Sequence, residues 1–232
     1  MWWYRHLHAH ALGALSPLPP HARILDAGCG TGGFLARLRA ARPEARLVGV
    51  EYAEAASRRA AAKSRAIVAS GSVNALPFPD TAFDAVVSLD VLCHVAVDEA
   101  AALAEFVRVL RPGGLLVLNL PAHEWLRSAH DARVHTARRY ERAGLAARLA
   151  AAGLGAISVR HWNSLLLPLM LLQRRLLRRD AGAASDVKPF PPVLDASLGA
   201  VCALEAGLLR AGLRFPAGGS ILATARKIGT SP

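Results

Sequence analysis

Cysteine and lysine are both scarce in this chain. Its three cysteines, Cys29, Cys93 and Cys202, are far apart and form no C-x-x-C pair. The sequence therefore encodes neither a disulfide framework nor a zinc cluster, and a reducing compartment is the simplest expectation. Only three of the 28 basic residues are lysine, so the formal net charge of +11 comes almost entirely from arginine. Because alanine and leucine are also abundant, we attribute this charge to compositional bias and predict no nucleic-acid partner.

Long hydrophobic runs are absent as well. The longest, residues 165–172, is eight residues long and contains Pro168, whereas a helix that spans a bilayer needs about 20 apolar residues. The first ten residues carry three aromatics and three histidines, which is not the basic start and apolar run of a signal peptide. These patterns predict a cytoplasmic protein that is soluble or at most bound to a membrane surface.

The chain has enough apolar sequence for one substantial core. Of its 232 residues, 53% are hydrophobic and 19% are charged, a balance that excludes disorder. Short apolar strands alternate with amphipathic helices, which indicates a doubly wound parallel sheet with helices on both faces. The strands are predicted at residues 22–27, 46–51, 66–70, 83–89, 115–120, 156–161 and 220–226, and the helices at residues 31–41, 53–63, 97–110 and 137–152.

Two segments stand apart from this alternation within a single domain of residues 1–232. Residues 1–21 form an aromatic N-terminal helix, and residues 163–216 form a helical insertion before the last strand. In a doubly wound sheet, ligands bind beyond the carboxyl ends of the strands. The loops after the first four strands are therefore where a functional site is expected.

A glycine-rich turn, GCGTGG at residues 28–33, follows the first strand and formally satisfies G-x-G-x-x-G. Glu51 lies at the end of the next strand, where a ribose-binding acid belongs, so NAD is one candidate ligand. Asp26 precedes the glycines, and its carboxylate would repel a pyrophosphate but attract a ligand that carries an ammonium and a sulfonium group. The residues therefore favour S-adenosylmethionine (SAM) over NAD.

Several blocks in order make the sequence resemble the class I SAM-dependent methyltransferases, in particular a bacterial type 11/12-like subset. The blocks are ILDAGCGTG at residues 24–32, GSVNALPFPD at 71–80, FDAVVSLD at 83–90 and LRPGGLL at 110–116. The resemblance implies a Rossmann-like, mostly parallel, seven-stranded sheet whose last strand is antiparallel. It also implies SAM as cofactor and S-adenosylhomocysteine as product.

The resemblance assigns roles in cofactor binding. Asp26 and the glycine turn would hold the methionine moiety, and Glu51 would bind both ribose hydroxyls. Ser72 stands where many relatives have aspartate, so its contact to the adenine amino group would be a weaker one. The cofactor-binding residues expected in this way are Asp26, Gly28, Cys29, Gly30, Gly32, Glu51, Tyr52, Ser72, Val73, Leu89, Asp90 and Trp3.

The aromatic N-terminus carries large apolar side chains that we expect to be buried against another part of the protein or over a ligand pocket. The same subset has a similar aromatic and arginine-containing helix over the cofactor pocket, so a lid is one interpretation and a helix on the domain's flank is the other. His6 and His10 share one helical face, but no acidic or cysteine ligand lies beside them. We therefore predict no metal site there.

A second cluster of polar residues, at positions 121–140, follows the fifth strand. It resembles an H-D-x-x-x-H-x-x-R-Y stretch of the same subset. A histidine here could take a proton from a hydroxyl or amine acceptor, with Asp131 orienting the imidazole. The alternative is a hydrogen-bonded clamp that closes the loop. The catalytic candidates are His130, Asp131, His135, Tyr140 and, after the fourth strand, His94.

The helical insertion has leucines at helical spacing followed by arginines. Such a helix could lie on an anionic membrane through residues 163–180, pack against the domain or form a homodimer face. The function predicted is transfer of the SAM methyl group to an oxygen or nitrogen of a small, fairly apolar acceptor. The alternatives are a lipid-linked or membrane-resident acceptor, and a SAM-fold protein that binds a partner or assists a cyclisation without methylating.

Overall fold

A computed structural model describes residues 1–176 and 190–229, without the side chains of His130 and residues 173–176. Its single sheet has seven strands in the order β3-β2-β1-β4-β5-β7-β6. The strands are β1 (Arg23–Ala27), β2 (Arg46–Glu51), β3 (Ile67–Ser70), β4 (Phe83–Leu89), β5 (Leu110–Pro121), β6 (Leu154–Trp162) and β7 (Ser220–Lys227). Only β7 runs antiparallel to its neighbours, which confirms the predicted doubly wound, mostly parallel sheet.

Helices cover both faces of this sheet, as predicted. In chain order they are α1 (Trp2–Ala14), α2 (Gly33–Ala41), α3 (Glu54–Ser64), α4 (Glu99–Val109), α5 (Ala129–Arg133), α6 (Arg142–Ala151), α7 (Leu167–Leu176) and α8 (Pro192–Arg210), with a 3₁₀ turn at Glu124–Leu126. Phe106 of α4 and Leu145 of α6 lie in the core of one face. Leu7 of α1 and Leu35 of α2 lie in the core of the other.

The helix predicted at residues 137–152 starts later than expected. Residues 137–140 are extended because Ala137 donates a backbone hydrogen bond to Cys93 and Tyr140 donates one to Pro121. These long-range bonds override the helical preference of the local sequence. Helix α6 therefore begins at Arg142, and the short helix α5 lies in the segment before it.

The insertion contributes α7 and α8 between β6 and β7. Asp195 of α8 accepts a hydrogen bond from the Trp2 backbone amide at 2.7 Å and pairs with Arg5 at 2.8 Å, which joins α8 to α1. Within the described residues, α8 is the one helix whose length and composition would suffice to cross a membrane, and 22% of that window is buried. A search for uninterrupted apolar runs does not find α8, because Asp195 and Glu205 interrupt its apolar residues.

Candidate functional site

The carboxyl ends of β1, β2, β4, β5 and β6 lie at one edge of the sheet. Because β7 is antiparallel to both β5 and β6, β6 points in the same direction as β5. Three residues shortly after these strands adopt left-handed backbone conformations without being glycine: Asp90, His123 and Asn163, with φ of 58°, 56° and 58°. Such conformations cost about 1–3 kcal/mol and concentrate at functional sites, so this edge is where the site should lie.

The glycine turn connects β1 to α2 at this edge. The Gly30 amide donates to Oε2 of Glu51 at 2.9 Å, and Oε1 of the same carboxylate accepts from the Ala53 amide at 3.0 Å. At Gly30 (φ 53°) an added Cβ would meet nothing within 4 Å, whereas at Gly32 (φ 76°) it would lie 2.6 Å from the Ala60 backbone. The turn is therefore packed tightly against α3 on one side and open to a ligand at Gly30.

Asp26 lies beneath the glycine turn near the end of β1. Its side chain is buried, and Oδ2 has no hydrogen-bond partner among the described residues. Burial, and after it the charge of Glu51, raises the pKa of Asp26 to about 7. An unpaired buried carboxylate is costly unless a cation or a hydrogen-bond donor reaches it, which is what a bound cationic ligand would supply.

Asp90 carries a third carboxylate at the end of β4. Both of its oxygens accept from Asn119 Nδ2, at 2.9 and 3.1 Å, and Asn119 Oδ1 accepts from Trp162 Nε1 at 2.8 Å. Because the indole can only donate, it fixes the orientation of the Asn119 amide. Burial raises the pKa of Asp90 to about 7, while the Asn119 hydrogen bond and the charge of Arg139 oppose that shift.

The three carboxylates give the pocket a negative field that suits a cation. Asp26, Glu51 and Asp90 form no ion pair with any residue whose side chain the structure describes. A pyrophosphate would be repelled here, whereas an ammonium or a sulfonium would be attracted. These residues therefore fit SAM and disfavour NAD.

For several other residues predicted to bind the cofactor, the side chain is packed away from the glycine turn, exposed or already paired. The Cys29 thiol lies against β2 near Gly49, and burial raises its pKa to about 12, so only its backbone remains available. Tyr52 is exposed, and the Ser72 hydroxyl accepts from the Asn74 amide at 3.1 Å. Val73 is buried in the loop after β3, and Leu89 is half-buried beside Asp90.

Helix α1 packs through Leu7 and Ala11 on one face of the sheet, and its first turn reaches the carboxyl edge. The Trp3 ring stacks on Trp162, which ends β6, with centroids 6.0 Å apart, and the His8 ring lies 5.3 Å from Phe34 in the first turn of α2. Burial and the charge of Asp90 raise the pKa of Tyr4. Trp3 therefore lies beside β6, whereas Leu7 and Ala11 pack on a sheet face as the flank interpretation predicts, and the lid stays a prediction. No cluster of three metal-ligating side chains is present in the described part of the chain.

Comparison with known proteins identifies the domain. Residues 25–118 match the family model described as a methyltransferase domain. A solved SAM-dependent methyltransferase from Thermotoga maritima has the same fold, with a TM-score of 0.63, 19% identity and coverage of 97% of this chain and 93% of that one. Residues 25–118 are thus similar to a methyltransferase domain, and the whole chain has the fold of a solved SAM-dependent methyltransferase.

Two curated relatives each match about half of the chain. A 24-methylenesterol C-methyltransferase from Oryza sativa subsp. japonica is 36% identical over 127 residues, which cover 52% of this chain and 33% of the relative. A demethylmenaquinone methyltransferase from Roseiflexus sp. is 38% identical over 123 residues, which cover 50% of this chain and 51% of the relative. The matched segment spans about a third to a half of the length of these methyltransferases.

Two of the predicted catalytic residues, Asp131 and Tyr140, are engaged in structural contacts. Asp131 is buried, pairs with Arg139 at 2.8 Å and accepts from the Ser128 amide at 2.8 Å. The buried Tyr140 hydroxyl donates to the Leu92 carbonyl at 3.1 Å. This arrangement favours the clamp interpretation of the segment over a direct catalytic role for either residue.

The predicted histidines are more dispersed. The His94 and His135 rings lie 5.6 Å apart, and His94 Nδ1 accepts from the Ala96 amide at 3.2 Å. His94 is half-buried and His135 is exposed. The side chain of His130 lies outside the described residues, so its catalytic role stays a prediction.

A different pair of histidines, which the sequence patterns did not single out, meets at the carboxyl edge of the sheet. His123 follows β5, His161 lies near the end of β6, and their rings stack with centroids 4.7 Å apart. Both are buried, and Glu141 contacts His123 Nδ1 at 3.0 Å. Their positions at strand ends were the available signal, but only the fold brings residues so distant in sequence together.

Proposed function

We propose that this protein transfers the SAM methyl group to an oxygen or nitrogen atom of a small molecule. The observation that carries the proposal is the group of three carboxylates, Asp26, Glu51 and Asp90, around an open glycine turn at the edge of a methyltransferase fold. When bound, SAM supplies a methyl group activated by the adjacent positive sulfur. The curated relatives are named for methyl transfer to a sterol and to demethylmenaquinone, which supports a small-molecule acceptor.

The chain's own residues would bind, orient and shield the reactants. Asp26 and Asp90 attract the positive end of the cofactor, while Glu51 accepts from its ribose hydroxyls. Asn119, which is held by Trp162, keeps the Asp90 carboxylate in one orientation. Methyl transfer is an in-line displacement, so holding the nucleophile and the methyl carbon in line provides much of the rate enhancement.

The first experiment is a calorimetric titration of the protein with SAM and, separately, with NAD. We expect micromolar binding of SAM, no binding of NAD and a loss of SAM binding in Glu51→Ala. Glu54→Ala is the matched control, because Glu54 is an exposed glutamate three positions away whose partner is Arg58. Absence of SAM binding to the wild-type protein would refute the proposed function, and NAD binding would indicate a dehydrogenase.

A lipid-linked or membrane-resident acceptor is the second candidate. Leu169 and Leu172 of α7 are 50% and 54% exposed, and Val193 and Leu204 of α8 are 79% and 60% exposed. These exposed apolar side chains support peripheral contact with a membrane. The predicted membrane-binding segment also includes residues 177–180, which lie outside the described residues. A homodimer through the same surface is the competing explanation.

Flotation with vesicles distinguishes these two explanations. If the surface binds membranes, the protein should float at low salt with vesicles that contain phosphatidylglycerol, and the double variant Leu169→Gln/Leu172→Gln should not. Leu213→Gln, at a position that is 48% exposed, controls for the loss of an exposed leucine elsewhere. Failure of the wild-type protein to float would remove this candidate, and a concentration-dependent dimer in sedimentation would favour the homodimer.

A SAM-fold protein that does not methylate is the third candidate. It is distinguished by incubating the protein with SAM labelled in the methyl group and a panel of phenols, alcohols and amines. We expect label to move to an acceptor. SAM binding without transfer to any acceptor, together with cyclisation of a polyene substrate, would favour the cyclase alternative.

A further inference from the structure

The His123 imidazole is held by a carboxylate at one nitrogen and has no partner among the described residues at the other. Both oxygens of Glu141 lie 3.0 Å from Nδ1. Nε2 is buried and has no hydrogen-bond partner among the described residues. An ionised carboxylate can only accept a hydrogen bond, so the neutral ring must carry its proton on Nδ1. Nε2 then presents a lone pair, which is the form of histidine that can take a proton.

The His123 ring lies among stacked aromatic rings. His161 stacks on His123 at 4.7 Å, Trp125 stacks on it at 5.0 Å, and Trp125 is 57% exposed. The His161 Nδ1 and Asn163 Oδ1 atoms are also buried without a described partner. Buried polar groups are normally satisfied, so several unpaired atoms at one sheet edge point to a ligand that pairs with them.

We infer that His123 is the base that accepts the proton of a hydroxyl acceptor and that Glu141 positions it. This inference rests on the proposed function. In the transfer step, the acceptor oxygen forms a bond to the methyl carbon as the carbon–sulfur bond breaks and its electron pair stays on sulfur. The acceptor O–H bond breaks, and the proton moves to Nε2 of His123. Glu141, which is 59% exposed at its side chain, stabilises the resulting imidazolium and faces solvent.

Asp90 is the obvious competitor for this role, and its contacts disfavour it. Both of its oxygens already accept from Asn119. It also lies where the positive cofactor would be held, and a nearby cation keeps a carboxylate ionised and makes it a weak base. His94 and His135 have no described carboxylate that orients them, whereas His123 has Glu141 at one nitrogen and no described partner at the other.

A hydroxyl fits this site better than an ammonium. Burial, and after it the charges of His123 and Arg142, lowers the pKa of His161 to about 4, so this ring is neutral. An alcohol or phenol can donate to Nε2 of His123 and accept from another group at the same time. An ammonium group would need a carboxylate to pair with, and the Glu141 carboxylate is already hydrogen-bonded to Nδ1 of His123. The acceptor class is therefore a small alcohol or phenol.

The protonation of the ring can be measured without any acceptor. A long-range ¹H–¹⁵N spectrum of the imidazoles, with His123 assigned by its absence in His123→Asn, should show the neutral form protonated at Nδ1. Asparagine adopts a positive φ, which is 56° here, more readily than most residues other than glycine. Glu141→Gln should weaken this preference, and Glu141→Asp should restore part of it. A neutral ring protonated at Nε2 in the wild-type protein would overturn the inference.

Catalysis provides the second measurement. With methyl-labelled SAM and a panel of phenols and alcohols, His123→Gly should lose about 10²–10⁴-fold in kcat, the range for general-base catalysis, with little change in KM. Added imidazole should recover at least tenfold, because glycine tolerates the backbone conformation and leaves room for the ring. Glu141→Gln should reduce kcat by about tenfold.

His21→Asn is the matched control, since it removes a histidine that faces Glu44 at 3.6 Å on the surface. It should behave as the wild-type protein does. Transfer to carbon or to amines in preference to hydroxyls, or full activity of His123→Gly, would overturn the inference. SAM binding should be unchanged in His123→Gly, so loss of SAM binding in the wild-type protein would indicate failure of the proposed function instead.

Discussion

Asp26 shows how one residue can favour ligand binding at the expense of stability. Its pKa is raised to about 7 in the folded chain, mainly by burial, so folding favours the protonated form. The protonated Asp26 therefore favours the folded state relative to the ionised form. This stabilisation is fully present below the ordinary aspartate pKa of about 3.9 and is lost as pH rises through about 7. We predict that Asp26→Asn raises the melting temperature of the SAM-free protein at pH 8 and lowers SAM affinity by at least about tenfold.

Thermal unfolding at pH 5.5 and 8 checks the first part of this prediction. The variant and the wild-type protein should differ much more at pH 8 than at pH 5.5. Asp80→Asn controls for the loss of an aspartate that is exposed and paired with Arg108. A lower melting temperature of Asp26→Asn at pH 8 would contradict the burial argument.

The hydrogen bond between Trp162 and Asn119 leads to a second prediction for a single residue. Its Nε1 donates to Asn119 Oδ1 at 2.8 Å, and both side chains are buried. Trp162→Phe keeps most of the apolar surface but leaves that oxygen unpaired, which should cost about 1–3 kcal/mol. Urea unfolding measures the loss. Trp125→Phe, at an exposed tryptophan, should change the free energy of unfolding by less than about 0.5 kcal/mol, and equal losses in both variants would argue against the hydrogen-bond explanation.

At the scale of elements, α1 and α8 act as one unit. Asp195 holds the first turn of α1 through the Trp2 amide and Arg5. We predict that Asp195→Asn loosens α1, so its amides exchange hydrogen faster and SAM dissociates faster, while the core strands keep their protection. Exchange mass spectrometry and stopped-flow displacement measure both effects. Ser197→Ala, also on α8 but away from α1, is the control, and unchanged exchange in α1 would mean that α1 does not depend on this contact.

The sequence predicted the types and order of the elements better than their bounds and contacts. The alternation of strands and helices was confirmed because apolar spacing and the glycine and proline breaks report directly on local backbone period. The start of α6 was wrong because Tyr140 and Ala137 bond to distant backbone groups. The contacts of α8 were not foreseen either, since Asp195 and Glu205 are polar residues whose partners lie far away in the chain.

At the scale of the whole molecule, the charge of the pocket predicts how binding depends on pH. Asp26 and Asp90 both have pKa values raised to about 7, mainly by burial. A bound cation favours their ionised forms, so binding below pH 7 must release protons. We predict that SAM affinity rises by roughly tenfold or more between pH 5.5 and 8, with a smaller change for S-adenosylhomocysteine, which lacks the sulfonium charge.

Calorimetric titrations in two buffers of different ionisation enthalpy measure both the affinity and the number of protons released. Proton release at pH 6 should fall in Asp26→Asn. An affinity that does not depend on pH, with no proton release, would mean that these carboxylates are ionised before SAM binds.

Sequence by itself determined the order of the elements, the glycine turn and the acids Asp26 and Glu51, because these features depend on short-range spacing and backbone geometry. The tertiary structure decided which polar side chains meet. It engages Asp131 and Tyr140 in structural contacts and brings His123, His161 and Glu141 together at the ends of β5 and β6 and the start of α6. Those contacts depend on strand order and loop paths, which no local pattern encodes.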